Sequence, residues 1–332
     1  MIAYTIRRLF LALVTIWAIS VLSFVIIQLP PGDFVDAYIS RLSASGSQVS
    51  AEEAQNLRKL YGLDRPIYVQ YGKWISRVAQ GDFGESMEWM RPVTEVIGDR
   101  LWLTMVVSVA AIILTWGIAL PIGIYSAVRQ YSIGDYLFTF IGFIGLAIPN
   151  FLFALILMYL SFKFLNLNVG GLFSPEFDLA PWSLAKVLDL LKHLPLPAIV
   201  LALAGTAQLI RIMRANLLDE LQKQYVVTAR AKGLPPLKVL FKYPLRMALN
   251  PFISDIGSLL PHVISGAAIV SVVMSLPTTG PMLLEALRSQ DMYLAGSFLM
   301  FMAFLTVIGV FISDLALAML DPRIRLQAGR QR

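Results

Sequence analysis

The sequence predicts an all-α membrane protein with six transmembrane helices, both termini in the cytoplasm and an external segment after the first helix. Three observations lead there. Of 332 residues, 57% are hydrophobic and only 14% charged, with mean hydropathy +0.70. A soluble domain keeps roughly a quarter of its residues charged, because it must cover itself with water-compatible surface. Six stretches are apolar over the roughly 20 residues needed to cross the hydrocarbon core. Lysine and arginine then gather in the loops that an even number of crossings leaves on one side.

The first stretch, 9–29, follows Arg7 and Arg8. It is longer than a signal-peptide core and no small-x-small cleavage pattern follows at Pro30 and Pro31, so it reads as a retained helix. The others are 101–127, 136–165, 195–213 (opening at Pro195 and Pro197), 249–275 and 294–319. Proline and glycine inside them are tolerated where neighbouring helices re-satisfy the freed backbone. Residues 31–100 carry no strong charge bias. They contain an amphipathic stretch (AEEAQNLRKLYGL), a turn at Asp64–Pro66 and a second helical pattern (QYGKWISRV), which predict a small ordered external element. A shorter external segment, 166–194, holds Gly170, Gly171 and Pro175. Between the fourth and fifth spans stand Arg211, Arg214, Lys223, Arg230, Lys232, Lys238, Lys242 and Arg246 against Asp219 and Glu220, which marks the cytoplasmic side. The chain thus divides into a first helix (1–30), an external segment (31–100), a five-helix core (101–320) with a cytoplasmic loop at 215–247, and a cytoplasmic tail (321–332).

The net charge of +6 follows from that bias and gives no reason to expect nucleic acid. No cysteine is present, and His193 and His262 stand far apart, so neither a thiolate site nor a histidine-based metal site is expected. No G-x-x-x-x-G-K-[ST] loop is present to cradle ATP. Asp255 and Asp314 lie near the cytoplasmic ends of their spans, where they either mark a pathway or pair with arginines and headgroups. His262, near mid-membrane after Pro261, either lines a passage or packs by hydrogen bonding. Asp82 and Glu85, beside Gly81 and Gly84, read as turn-forming or docking groups rather than an acid–base pair. The Phe and Met residues of the third and sixth spans sit at helical spacing and read as lipid-facing or packing. An autonomous secondary transporter needs carboxylates deep in the membrane and usually an inverted repeat. An intramembrane enzyme needs a nucleophile or metal set there. Neither requirement is met clearly.

The stretch 224–251, QYVVTARAKGLPPLKVLFKYPLRMALNP, predicts a helix from Leu217 to about Lys232, a stop at Gly233, and a restart at Pro235–Pro236. Thr228, Ala229 and Ala231 are small enough to let another surface approach. The same residues also suit an amphipathic helix lying on anionic headgroups.

TARAKGL after Gln224 and Tyr225 resembles the cytoplasmic coupling loop, the EAA loop, of ABC importer permeases. In the dipeptide/oligopeptide/nickel permease family this loop reads close to DYVRTARAKGL. Tyr225, Val226, Thr228, Ala229, Arg230, Ala231, Lys232, Gly233 and Leu234 match; Gln224 and Val227 depart. In chain order, the first helix ending in Pro31–Gly32–Asp33, the external stretch 62–87, LAIPNF (146–151) and SDLALAMLDPRIR with Asp314, Asp321, Pro322, Arg323 and Arg325 are also similar to that family. The resemblance implies the type I ABC importer permease fold in a bacterial or archaeal cytoplasmic membrane, in contact with membrane lipid. It implies a second homologous permease, two ATP-binding subunits and a periplasmic or lipid-anchored solute-binding protein. ATP and Mg would be held by the ATPase partners, with no cofactor on this chain. Tyr225, Thr228, Ala229, Arg230, Ala231, Lys232, Gly233 and Leu234 would form the ATPase-coupling site. A Glu-x-x-Phe and Pro-Gly-x-Gly pattern usual near the external mouth is here VSVVMSLPTTGPM, with Ser271 for Glu, Met274 for Phe and Thr278 for Gly; Pro277 and Gly280 remain. His262, Ser271, Pro277 and Gly280 are the candidate path or gate residues. The implied cargo is a peptide or similarly sized solute, with oligosaccharide, opine or nickel as alternatives.

Overall fold

A computed structural model describes residues 2–44, 49–165, 170–178, 180–253 and 268–320, and the side chains among them except at 2–9, 165 and 312–320. The named elements are helices: α1 (Ile2–Gln28), α2 (Phe34–Ala44), α3 (Ala51–Tyr61), α4 (Ile67–Ala79), α5 (Val93–Val128), α6 (Ile133–Ala147), α7 (Asn150–Leu165), α8 (Pro175–Asp178), α9 (Leu184–His193), α10 (Pro195–Leu221), α11 (Gln224–Ala231), α12 (Pro236–Lys242), α13 (Pro244–Ala248), α14 (Thr279–Arg288) and α15 (Met292–Leu320). Among the described residues, four helices are long and apolar enough to cross a membrane, or five spans if the bent pair α6–α7 is one. The expected fifth span, 249–275, falls largely outside the described residues, as do Asp255, His262, the tail 321–332 and the side chain of Asp314.

The chain forms two compact units, one of 1–104 with 278–307 and the other of 105–277 with 308–332. In the first unit the segment after α1 is ordered by its caps. Asp33 and Asp36 exchange backbone-to-carboxylate hydrogen bonds at the start of α2, 2.9 and 3.0 Å. Arg58 of α3 reaches back to Asp33 at 2.7 Å, fixing α3 on α2. Ser50 and Glu53 form a capping box on α3, and Gly62, at φ +71, closes its other end. Asp291 is fully buried between α14 and α15. One carboxylate oxygen accepts the Leu294 N–H at 3.0 Å, capping α15; the other accepts Ser86 Oγ at 2.6 Å and the Glu88 N–H at 3.1 Å. Burial pushes this carboxyl above the usual range, against those hydrogen bonds.

In the second unit α10 is central, packing against α6, α7, α9 and α13. Met213 and Leu217 on α10 are fully buried with Ala119, Ala127, Leu245, Ala248 and Phe252. One expectation is corrected and another refined. The stretch expected as the span 136–165 is described as two helices, α6 and α7, bent by 103° at a short break. Pro149 restricts Ile148 to extended backbone (φ −86°, ψ 122°), and as a residue without an N–H it cannot continue the α6 ladder. Nor does a helix begin at Leu217; the apolar face of α10 carries it through to Leu221, and extended Lys223 (ψ 147°) separates it from α11. The helix expected from 101 starts earlier, at Val93, making α5 36 residues long. At about 1.5 Å per residue it exceeds an apolar core of about 30 Å, so it projects beyond the membrane.

Candidate functional site

The segment 222–248 is built as three short helices, α11, α12 and α13, following the end of α10. Gly233 takes φ +74 and ends α11, while Pro236 occupies the first turn of α12. Val226 and Ala229 on α11 are buried against Val239 on α12, flanked by Leu234 and Tyr243. Below them Pro244 opens α13, whose Leu245 and Ala248 join the α10 cluster. The seat is therefore apolar and anchored to a span.

Above it the surface is exposed at Tyr225, Thr228, Arg230, Ala231, Lys232 and Gly233. Thr228 Oγ1 donates to the Gln224 carbonyl at 2.9 Å, satisfying itself within the helix. The Tyr225 hydroxyl donates to Glu220; burial and that carboxylate raise its pKa well above the ordinary tyrosine range. Exposed Val227, Leu237 and Phe241 set apolar side chains beside Lys238 and Lys242. Of the eight residues singled out in sequence, seven contribute to or border this crest. Ala229 does not: at 5% exposed it faces α12, and its small side chain serves the α11–α12 contact rather than an incoming surface.

Sequence reasoning missed the clamp below the crest. Asp135, 1% exposed on the first turn of α6, accepts both Arg214 Nε and Nη2 at 2.8 Å. Ser132 caps the same helix, its hydroxyl accepting the Asp135 N–H at 3.2 Å, and Asp135 accepts the Tyr131 N–H at 3.0 Å. Tyr131 sits at φ +64 to allow it. The readable signal is Ser132-x-x-Asp135, a helix-start pattern; nothing in the sequence pairs Asp135 with Arg214, 79 positions away.

The second candidate region is the stretch 268–280. Ser271 is buried, and its carbonyl accepts the Leu276 N–H at 2.8 Å while the Ser275 N–H reaches Val272 O at 3.2 Å. With Ser275 at φ +54, these bonds close a helix end in the left-handed turn more often given to glycine. The Gly171 N–H donates to Met274 O at 2.8 Å, tying the loop 170–178 to this turn. That loop is held by α9: Asp189 accepts Ser174 N and Oγ at 2.7 and 2.8 Å. Lys186, 6% exposed, lies 4.7 Å from the Phe173 ring centroid and donates to Ala180 O at 2.7 Å. Pro277 is half-buried and Gly280 buried at the start of α14, where the Thr279 N–H and Thr104 Oγ1 bond at 2.9 Å. Asp82, bonded to Arg77 at 2.8 Å and to the Gly84 N–H at 2.9 Å, is a turn residue.

Comparison with known proteins bears on the whole chain. Residues 119–326 match the family described as binding-protein-dependent transport system inner membrane component, and residues 1–108 match that family's N-terminal region. The chain is 39% identical to the oligopeptide transport system permease protein AppB of Bacillus subtilis, over 98% of this chain and 99% of that one. It is 30% identical to the dipeptide transport system permease protein DppB of Escherichia coli, over 98% and 99%. A putative peptide permease of Brucella ovis is 35% identical over 98% and 100%.

Proposed function

Because the chain belongs to the binding-protein-dependent transport system inner membrane component family, we propose that it forms half of the path through which an ATP-driven importer takes up peptides. As an inner-membrane permease it leaves ATP hydrolysis to separate subunits. A peptide cargo is supported by relatives named for oligopeptide and dipeptide transport. Ser271, Met274 and Thr278 depart from the usual mouth pattern and keep oligosaccharide, opine and nickel as alternatives. A second homologous permease would complete the path, two ATPase subunits would hold ATP and Mg, and a periplasmic or lipid-anchored binding protein would deliver cargo. Six spans with cytoplasmic termini accommodate the four long helices, the bent α6–α7 pair and the apolar stretch 249–275. The division into 1–30, 31–100, 101–320 and 321–332 follows the same reading. Pro277 and Gly280, with His262 and Ser271, are the proposed gate residues.

The observation that carries the coupling assignment is the α11 crest. Cationic and apolar side chains stand exposed on a seat of Val226, Ala229 and Val239 fixed to α10. Such a knob suits an apolar groove with an acidic rim on an ATPase subunit. Gly233 gives the test. A Cβ there would meet nothing within 4 Å, so its requirement is the positive φ and the approach of a partner. Gly233→Val, in the importer reconstituted with its ATPases and binding protein, should leave insertion and assembly intact. Cargo uptake should drop at least tenfold and stimulation of ATP hydrolysis by the liganded binding protein should be lost. Uptake at the unmodified rate would contradict the assignment.

A further inference from the structure

The external segment does not stand wholly in water, because contacts within the first unit fix the depth of α4 against two spans independently. Gln28 is the last residue of the candidate span Phe10–Gln28, and Met292 the first of Met292–Phe311. The Gln28 Nε2 donates to Gln70 Oε1 on α4 at 3.1 Å and contacts Met292 Sδ at 3.4 Å, so these three residues mark a common rim. One turn further in, Trp74 stacks on Phe24 with ring centroids 5.8 Å apart. A Cβ on Gly296 would lie 3.3 Å from the same indole. Phe24 and Gly296 each lie four residues inside their spans, about 6 Å below the rim at 1.5 Å per residue. Deeper still, the Tyr71 hydroxyl is 2.9 Å from Ser20 Oγ, and Ser20 lies eight residues inside, about 12 Å. Both spans therefore put the Trp74 side chain about 6 Å inside the rim, and α1 alone puts the Tyr71 hydroxyl about 12 Å inside, both within the apolar zone. After α4 the chain returns to the rim: Gly84 approaches the Tyr293 ring, which an added Cβ would meet at 3.4 Å.

A helix held at that depth has a flank turned towards the acyl boundary. With Gln70 and Trp74 on the packed face, Tyr68, Gly72, Ile75 and Ala79 follow at i, i+4, i+7 and i+11, an uncharged stripe with Tyr68 76% exposed. Lys73 and Ser76 lie on another flank, both exposed. Tyrosine is favoured where one end of a side chain is apolar and the other wet, and a lysine beside it extends to headgroups. We propose that α4 is an interfacial membrane helix, with the Tyr68–Gly72–Ile75–Ala79 stripe seated on lipid at the headgroup–acyl boundary of the membrane face that carries residues 31–100.

The chain has no cysteine, so single-cysteine variants carry one label each. Tyr68→Cys, Ile75→Cys, Lys73→Cys and Ser76→Cys would be spin-labelled in the protein purified from its native membrane with its associated subunits and placed in lipid nanodiscs. Collisions with oxygen, which concentrates in lipid, are compared with collisions with a water-soluble nickel chelate. Trp17→Cys on the lipid-exposed face of α1 and Lys59→Cys on α3 calibrate the two phases. The oxygen-to-nickel ratio at 68 and 75 should exceed that at 73 and 76 several-fold and approach the ratio at 17. A ratio at 68 and 75 equal to that at 59 would overturn the proposal in favour of an aqueous face. Exclusion of both reagents from 68 and 75 would overturn it in favour of a protein partner.

Discussion

Arg214 and Asp135 show what a single pair does near the end of a span, where α10 leads into α11. The carboxylate is almost wholly covered and accepts from two guanidinium nitrogens, Nε and Nη2, while Arg214 keeps about a quarter of its side chain exposed. It fixes the first turn of α6 to α10, two turns before α10 ends at Leu221. Removing one partner leaves the other without its counter-charge in a partly closed site, which costs less than the ~3–5 kcal/mol of a fully buried pair. Asp135→Leu should therefore lower the thermal transition of the purified protein more than Asp135→Leu combined with Arg214→Met. Equal losses in the single and double variants would show that the pair is not coupled. At Gly233 the decisive property is conformational rather than electrostatic, a positive φ with open space around it.

At the level of elements, short helices here are set by what they bury. Ala229 packs α11 onto α12, so Ala229→Leu forces an extra side chain into a closed contact, an overpacking cost of about 1–3 kcal/mol. That variant should weaken retention of the ATPase subunits during purification while the exposed Ala231→Leu changes it less; the reverse order would mean that Ala229 faces the partner. Much of this was legible beforehand. The apolar stretches, the helices at 51–61 and 67–79, the stop at Gly233 and the restart at Pro236 all follow from local rules of length, spacing and backbone freedom. What could not be read depends on tertiary packing. Apolarity shows that 136–165 can cross a membrane, but it does not reveal a 103° bend, although Pro149 marked the place. A small residue on a polar helix gives no sign of which side is covered, so Ala229 looked like a landing point. Asp291 is invisible in sequence, because its partners Ser86 and Glu88 come from a loop some 200 positions away in the chain.

At the scale of the whole molecule, the chain is a membrane permease whose working surfaces face other proteins. The family and the full-length similarity to peptide permeases fix that role, and the crest of α11 is the proposed point of attachment for an ATPase subunit. The segment between α1 and α5 ties α1, α4 and α15 together through Gln28, Trp74 and Asp291. Purification of the tagged chain from its native membranes, with identification of every protein recovered, tests the central claim most directly. The account predicts a second related permease and ATP-binding subunits in stoichiometric amount, with a solute-binding protein in addition. Recovery of the chain alone as a stable, monodisperse species that transports without ATP would contradict it.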